Sequence, residues 1–386
     1  MGYDEFKNDR RMKMEKRFIE NLGVSTSLLG FGCMRLPQKD GKIDEVRAEQ
    51  CIDRAYAAGV NYFDTAFPYH NGDSEPFVGR VLDKYPRDSY FLATKLPCWN
   101  VHELGDAKKI FQNQLDRLNK TYVDFFLLHA LDRNRFHQMR DLGVIEYLKE
   151  EQANGRIKFL GFSFHDGFDA FKEIIEYRKW DFCQIQFNYM DTEEQAGLKG
   201  VQLAESLGVP LVIMEPVKGG SLANLPEDVT TEFKRLCPDA STASWALRFV
   251  GTFDNIKVIL SGMSDEAQVE DNLKTFSDFK KLTKEEMQAV KDTADALRRR
   301  VFNGCTGCRY CMPCPNGVDI PRNFKIWNTY GMYQNSGNAK WEWSMVGDDQ
   351  KAKNCVQCGL CETQCPQHLN IRDDLTRLQE MMEGLQ

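Results

Sequence analysis

The sequence has no run of 18 apolar residues, and its opening stretch MGYDEFKNDRRMKMEKR (1–17) is too charged for a signal peptide. It also has no excess of basic charge, because 50 Lys and Arg stand against 57 Asp and Glu, a formal net charge of -7. We therefore expect no membrane span and predict a cytoplasmic protein. Nucleic acid is not expected as a partner, since affinity for it depends on neutralising phosphates with a basic surface.

Cysteine, by contrast, is abundant, with 13 in 386 residues. Eight of the 13 fall in two tight groups after residue 300, where cofactor ligation is a better explanation than disulfides in a reducing compartment. A domain boundary is therefore expected near residue 300. The other five are scattered and are predicted to be ordinary thiols: Cys33, Cys51, Cys98, Cys183 and Cys237.

Short apolar runs alternate with amphipathic helical stretches from about residue 28 to residue 276, a pattern typical of a parallel sheet. Eight such strand–helix units favour a closed (β/α)8 TIM barrel over an open Rossmann sheet. We predict a barrel over 14–280, a connecting helix over 281–301 and a small cysteine-rich domain over 302–386. The predicted strands are 28–36, 61–66, 90–96, 123–130, 157–165, 181–188, 210–217 and 256–262.

Polar side chains stand at three successive predicted strand ends, where the rest of each strand is apolar. Asp64 closes the second strand and Tyr69 follows it, Lys95 ends the third strand, and His129 ends the fourth. The carboxyl ends of barrel strands form the catalytic face of this fold. Any one of these residues could be a helix cap, a rim aromatic or a paired buried lysine. Together they predict a catalytic group.

The sequence resembles the aldo-keto reductases in the motifs GVNYFDTAFPY, ATK and DFFLLH, and the similarity extends from about residue 14 to VEDNLKTF. The resemblance implies a small carbonyl or alcohol substrate and a catalytic tetrad. In that tetrad Tyr69 is the proton donor, Lys95 lowers its pKa, Asp64 pairs with Lys95, and His129 orients the substrate carbonyl. This agrees with the chemistry of a phenol, whose ordinary pKa near 10 makes it a poor acid or base at neutral pH without help.

The same resemblance implies contacts to a nicotinamide dinucleotide, NAD(P)(H). It implies that a carboxamide, a pyrophosphate and an adenine group are held by Ser163, Gln184, Gly219, Gly220, Ser221, Asp271 and Asn272. The chain departs from the family pattern at four places: Phe164, Met214, Gly262 and Gln268. The last two replace the cations that many members use for a 2′-phosphate, so strong selection for NADPH is not expected.

The two cysteine groups predict two 4Fe-4S clusters. Residues 355–366 read CVQCGLCETQCP, the run of bacterial ferredoxins, and residues 305–315 read CTGCRYCMPCP. In such runs three cysteines hold one cluster and the fourth ligand comes from the other run. A zinc ribbon is the alternative, but it has no use for triplets followed by Cys-Pro. The implied ligand sets are Cys305, Cys308, Cys311 with Cys365, and Cys355, Cys358, Cys361 with Cys314.

A barrel with hydride chemistry joined to a ferredoxin-type domain leaves three functional hypotheses open. The barrel could perform NAD(P)H-linked carbonyl or alcohol chemistry while the clusters exchange electrons with a redox partner protein or a bound flavin, although no flavin motif is recognisable. The clusters could instead feed single electrons to a substrate in the barrel. Alternatively, the chain could act mainly as an electron-transfer or docking subunit of a larger complex.

Overall fold

The computed structural model describes residues 13–385, so most of the charged opening stretch lies outside the described residues. It confirms the predicted barrel. Eight parallel strands form a closed barrel. Their order around the barrel is their order along the chain, and the last strand pairs with the first. The barrel strands are β3 (Leu29–Gly32), β6 (Tyr62–Asp64), β7 (Phe91–Pro97), β8 (Val123–Leu131), β9 (Ile157–Phe164), β10 (Phe182–Gln186), β11 (Leu211–Met214) and β12 (Ile256–Ser261).

Two antiparallel hairpins flank the first barrel strand. One precedes it, β1 (Lys16–Ile19) with β2 (Val24–Ser27), and the other follows it, β4 (Gln38–Lys39) with β5 (Lys42–Ile43). The helices that alternate with the barrel strands are α1 (Glu45–Ala57), α2 (Ser74–Leu82), α3 (Leu104–Leu118), α4 (Arg133–Asp141), α5 (Val144–Ala153), α6 (Phe168–Tyr177), α7 (Gly197–Ser206), α8 (Thr231–Leu236), α9 (Thr242–Gly251) and α10 (Glu266–Phe276).

The barrel interior is filled by apolar side chains, including Tyr62, Phe125 and Phe182. The rings of Tyr62 and Phe182 each meet that of Phe125 edge to face, with centroids 4.9 Å apart. Such a packed interior leaves no pore, so chemistry belongs at an end of the barrel. That end is the carboxyl one, where Asp64 is the last residue of β6 and where Lys95 and His129 lie two residues from the ends of β7 and β8.

The chain divides by contacts into two compact units. The first extends to Gly219 and resumes over Ala243–Thr283, and the second combines Gly220–Thr242 with the chain from Lys284 onward. The connecting helix predicted over 281–301 is present as α11 (Lys284–Arg298) and belongs to the second unit. The domain limits 14–280, 281–301 and 302–386 stay a prediction.

The second unit is helical beyond residue 302, where the described residues form no strand. Its helices are α12 (Ile320–Tyr333), α13 (Ser336–Ser344), α14 (Leu360–Thr363) and α15 (Ile371–Gly384). Trp327, Trp343 and Leu378 are among the residues of a small apolar core against which six of the eight clustered cysteines pack. Of the helices between residues 13 and 385, none is long and apolar enough to cross a membrane.

Candidate functional site

Lys95 is the centre of the polar group at the carboxyl end of the barrel. Its ammonium is 1% exposed and makes an ion pair of 2.6 Å with Asp64. It also donates to the carbonyl oxygen of Thr65 at 2.8 Å and to the hydroxyl of Tyr69 at 3.4 Å. An ammonium has three protons and no acceptor, so these three contacts use all of its donors. The arrangement fixes the cation beside the phenol.

The opposite charges of Lys95 and Asp64 keep this buried pair ionised. Burial lowers the pKa of Lys95, but Asp64 and Tyr69 together raise it above its usual value. Burial also raises the pKa of Asp64, and the ammonium of Lys95 opposes that rise. Because Asp64 and Lys95 are 2.6 Å apart, each offsets the cost of burying the other's charge.

Tyr69 begins a short turn that follows β6, which brings its hydroxyl back over the strand ends. Its ring lies edge to face with His129, centroids 6.1 Å apart, and the Lys95 ammonium lies 4.9 Å from the ring centroid. The structure therefore brings all four predicted catalytic side chains together.

Two opposing effects act on the pKa of Tyr69, and Lys95 lowers it as expected. Burial raises it above its usual value of 10.0, and the lowering by Lys95 is the smaller effect. The phenol is thus a protonated donor at neutral pH in the structure without ligands. Lys95 limits the rise caused by burial rather than making Tyr69 unusually acidic.

His129 is nearly buried and neutral. Burial, together with Lys95, His165 and Arg135, holds its pKa well below its usual value. Its Nδ1 has no hydrogen-bond partner within residues 13–385. The exposed indole of Trp99 lies 5.0 Å from the imidazole, centroid to centroid, and covers it on one side. A neutral imidazole with a free ring nitrogen can hydrogen-bond a polar oxygen of a ligand.

Ser163 and Gln184 occupy paired positions on the neighbouring strands β9 and β10, and both are buried. The hydroxyl of Ser163 accepts a hydrogen bond of 2.8 Å from the backbone N–H of Ala130. Gln184 Oε1 is buried and has no partner in the described part of the chain. An orphaned amide oxygen beside a hydroxyl fits the carboxamide of a nicotinamide, which can donate two hydrogen bonds.

The other predicted dinucleotide contacts lie later in the chain, on the turn at Gly219 and on α10. Gly219 and Gly220 both have positive φ, +63° and +99°, and a Cβ on Gly220 would meet no atom within 4 Å. Gly219 ends the first compact unit, and Gly220 and Ser221 open a segment of the second. Asn272 is buried and donates to Ser261 Oγ at 2.7 Å, so its amide already has a structural partner.

Sequence reasoning missed two polar groups at this end of the barrel, Asp191 and Arg35. Asp191 is buried and accepts from Gln186, Asn188 and Lys218, with the Lys218 ammonium at 2.5 Å. Arg35, in a short turn after β3, was also not singled out. Its position three residues after the GFG that ends a barrel strand is the pattern that could have drawn attention to it.

The clustered cysteines line two cavities. A cavity of about 290 Å³ is lined by Cys311, Cys314, Cys355, Cys358 and Cys361. A narrower one of about 20 Å³ is lined by Cys305, Cys308, Cys311 and Cys365. Cys365 thus lies with the first run and Cys314 with the second, and Cys311 is the one cysteine that borders both.

These cysteines do not converge as ligands of a single ion. Across residues 13–385, no three His, Cys, Asp or Glu side chains could hold one metal ion. Tetrahedral zinc would require thiolates about 2.3 Å from a common point. Thiols spread around the 290 Å³ cavity fit a larger inorganic group with iron and sulfide at its corners.

Two family models match the chain. "Aldo/keto reductase family" covers residues 28–295, and "4Fe-4S dicluster domain" covers residues 304–370. The chain belongs to the aldo-keto reductase family. It is an oxidoreductase of that family with a C-terminal 4Fe-4S ferredoxin-like domain.

Named relatives agree with the barrel assignment. L-galactose dehydrogenase of Arabidopsis thaliana is 26% identical over 74% of this chain and 97% of its own length. The NADH-specific methylglyoxal reductase of Escherichia coli is 24% identical over 73% of this chain and 96% of its own length. The holo form of aldo-keto reductase AKR11C1 from Bacillus halodurans superimposes with a TM-score of 0.62 at 27% identity, covering 72% of this chain and 96% of that one.

Proposed function

We propose that the barrel interconverts a small carbonyl compound and its alcohol with NAD(P)H, and that Tyr69 is the proton donor. The observation that carries this proposal is the Lys95 ammonium, which contacts both Asp64 and the hydroxyl of Tyr69. A lysine with only a structural role needs a carboxylate partner, but it does not need a phenol at the carboxyl end of the barrel. The phenol is explained by proton transfer to a substrate oxygen.

The division of labour among the four side chains follows from their charges. Neutral His129 donates an N–H to the substrate oxygen and orients it toward Tyr69. The Tyr69 hydroxyl then gives its proton to that oxygen as negative charge develops there, and Lys95 stabilises the phenolate that remains. Asp64 holds the ammonium in place. A nicotinamide, when bound against Ser163 and Gln184, would supply the hydride for the carbonyl carbon.

The names of two relatives support this chemistry, since one is a dehydrogenase of a sugar and the other a reductase of a small aldehyde. The cysteines, all unpaired in the structure, suit a reducing cytoplasm.

Isotope transfer tests this proposal. With NADH deuterated at C4 and a panel of small carbonyl compounds beginning with methylglyoxal, we expect the anaerobic holoprotein to place deuterium on the product carbon. The measurement is mass spectrometry of the alcohol, because a hydride moves without exchanging with solvent. The same mixture in deuterated water with unlabelled NADH is the control and should give no carbon-bound label. Deuterium that enters carbon only from solvent would contradict hydride transfer.

We further propose that the second unit holds two 4Fe-4S clusters, which exchange electrons singly with a redox partner protein. The lining of the two cavities supports the crossed ligand sets, Cys365 with the first run and Cys314 with the second. Two clusters together carry two electrons, the number in one hydride. A flavin on a partner protein is the usual converter between hydride transfer, which moves two electrons together, and transfer of single electrons.

Paired substitutions test the crossed ligand sets. Anaerobic wild-type protein should contain about eight iron and eight sulfide per chain, by the stoichiometry of two cubes. Cys305→Ala with Cys365→Ala removes two ligands of one cluster and should leave about four iron, whereas Cys355→Ala with Cys365→Ala should leave almost none. Cys237→Ala, outside both runs, is the control and should retain all iron. Equal iron loss in the two double variants would refute the pairing, and zinc without acid-labile sulfide would refute the clusters.

A second candidate function is one-electron reduction of a substrate in the barrel without nicotinamide. One observation favours it: Met214, the last residue of β11, stands where the family resemblance implies an aromatic ring against the nicotinamide. Under this alternative Tyr69 would still supply the proton, but the clusters would supply the electrons. The two functions differ in whether nicotinamide is required.

A further inference from the structure

Arg35 crosses the carboxyl end of the barrel between two loops. Its aliphatic stem lies over Gly262, where an added Cβ would be 3.1 Å from Arg35 Cβ and 3.3 Å from its Cδ. Its guanidinium reaches Gly219, where an added Cβ would be 3.5 Å from Arg35 Nη2. Backbone contact anchors the turn, since Ser264 Oγ donates to the carbonyl oxygen of Arg35 at 2.9 Å. Because residue 262 is a glycine, the space that a side chain would fill is occupied by Arg35.

The guanidinium has no structural task of its own. Arg35 is exposed, and no hydrogen bond, ion pair or aromatic ring holds its guanidinium within residues 13–385. The neighbouring cation, Lys218, is committed to Asp191 through contacts of 2.5 and 2.8 Å. Arg35 is therefore the cation available beside Gly219.

We propose that Arg35 binds the pyrophosphate of the nicotinamide dinucleotide, an inference that rests on the proposed function. Gly219 belongs to the loop for which the family resemblance implies a pyrophosphate contact, and a guanidinium matches phosphate oxygens with two parallel hydrogen bonds. Arg35 acts on the pyrophosphate that NADH and NADPH share, so its contribution does not discriminate between them. This explains how the chain holds a dinucleotide although Gly262 and Gln268 offer no cation for a 2′-phosphate.

Glu215 modulates this contact. A Cβ on Gly219 would lie 3.5 Å from Glu215 Oε2, the same distance as from Arg35 Nη2. A carboxylate there competes with phosphate for the guanidinium and repels the ligand. Removal of the carboxylate should therefore have the opposite effect to removal of the arginine.

Calorimetric titration of the anaerobic full-length holoprotein tests the inference, with NADH, NADPH and ADP-ribose as probes. Arg35→Met should weaken all three by a similar factor of about tenfold or more, as expected for loss of a charge-assisted phosphate contact. The loss should shrink at high salt, because the site is exposed. Arg35→Lys should recover part of the affinity, Gly262→Val should weaken binding by displacing the arginine stem, and Glu215→Gln should tighten binding.

Lys172→Met removes one positive charge from the exposed face of α6 and serves as the matched control, with affinities expected to equal wild type. Wild-type affinity in Arg35→Met would overturn the inference while leaving the proposed function standing. A loss confined to NADPH would overturn the pyrophosphate assignment, since it would place Arg35 on the 2′-phosphate. Failure of the wild-type holoprotein to bind any of the three probes would overturn the proposed function and this inference with it.

Discussion

Tyr69→Phe is expected to lower kcat for carbonyl reduction by about 10²- to 10⁴-fold, the usual contribution of a positioned general acid. The substitution removes one oxygen. The ring should stay where it is, because its contacts with Lys95 and His129 are made by the ring itself. Lys95 loses its 3.4 Å acceptor but keeps Asp64 and the carbonyl oxygen of Thr65. The thermal midpoint should therefore change little while kcat falls.

The matched control is Tyr177→Phe, which removes a hydroxyl from the exposed part of α6 and should leave kcat unchanged. The pH profile adds a second readout. Because burial raises the pKa of Tyr69, the donor stays protonated and the rate of reduction should be flat to about pH 9, near the ordinary phenol range. Alcohol oxidation needs the deprotonated phenol, so its rate should rise over the same interval. Unchanged turnover in Tyr69→Phe would make Tyr69 a rim residue.

The barrel was predictable from sequence because its strands are apolar on both faces and its helices have one apolar face. All eight predicted strands are present, although β6 and β11 are shorter than their apolar runs, three and four residues. The candidate site was predictable for a related reason: a lysine or aspartate at the end of an apolar strand is costly to bury without a purpose or a partner. Asp64 and Lys95 are indeed each other's partner.

The sequence alone could not show which side chains come into contact when they belong to loops that are distant along the chain. Arg35 and Gly262 are 227 positions apart, and only the folded barrel brings the stem of one over the backbone of the other. The net pKa of Tyr69 was missed for the same reason, because it depends on how deeply neighbouring loops bury the phenol. The crossed cysteine sets stay a proposal, which the spacing supports because it leaves a fourth cysteine over in each run.

Reduced clusters without nicotinamide should give no product. If the holoprotein is reduced with dithionite, freed of excess reductant and mixed with substrate, we expect the clusters to stay reduced and the alcohol to be absent. The reason is that Ser163 and Gln184 occupy paired positions on neighbouring strands, and the partnerless amide oxygen of Gln184 fits a nicotinamide carboxamide. Addition of NADH to the same mixture should start turnover.

The measurement is stopped-flow absorbance of the clusters together with product analysis. The Cys355→Ala with Cys365→Ala variant, which we expect to retain almost no iron, is the control, because any product it forms should not come from the clusters. Product that appears with cluster reoxidation at the same rate, nicotinamide omitted, would overturn hydride transfer and establish the second candidate function. In that event Tyr69→Phe should still abolish turnover, because both routes end in protonation of the substrate oxygen. The two experiments therefore separate the source of the electrons from the source of the proton.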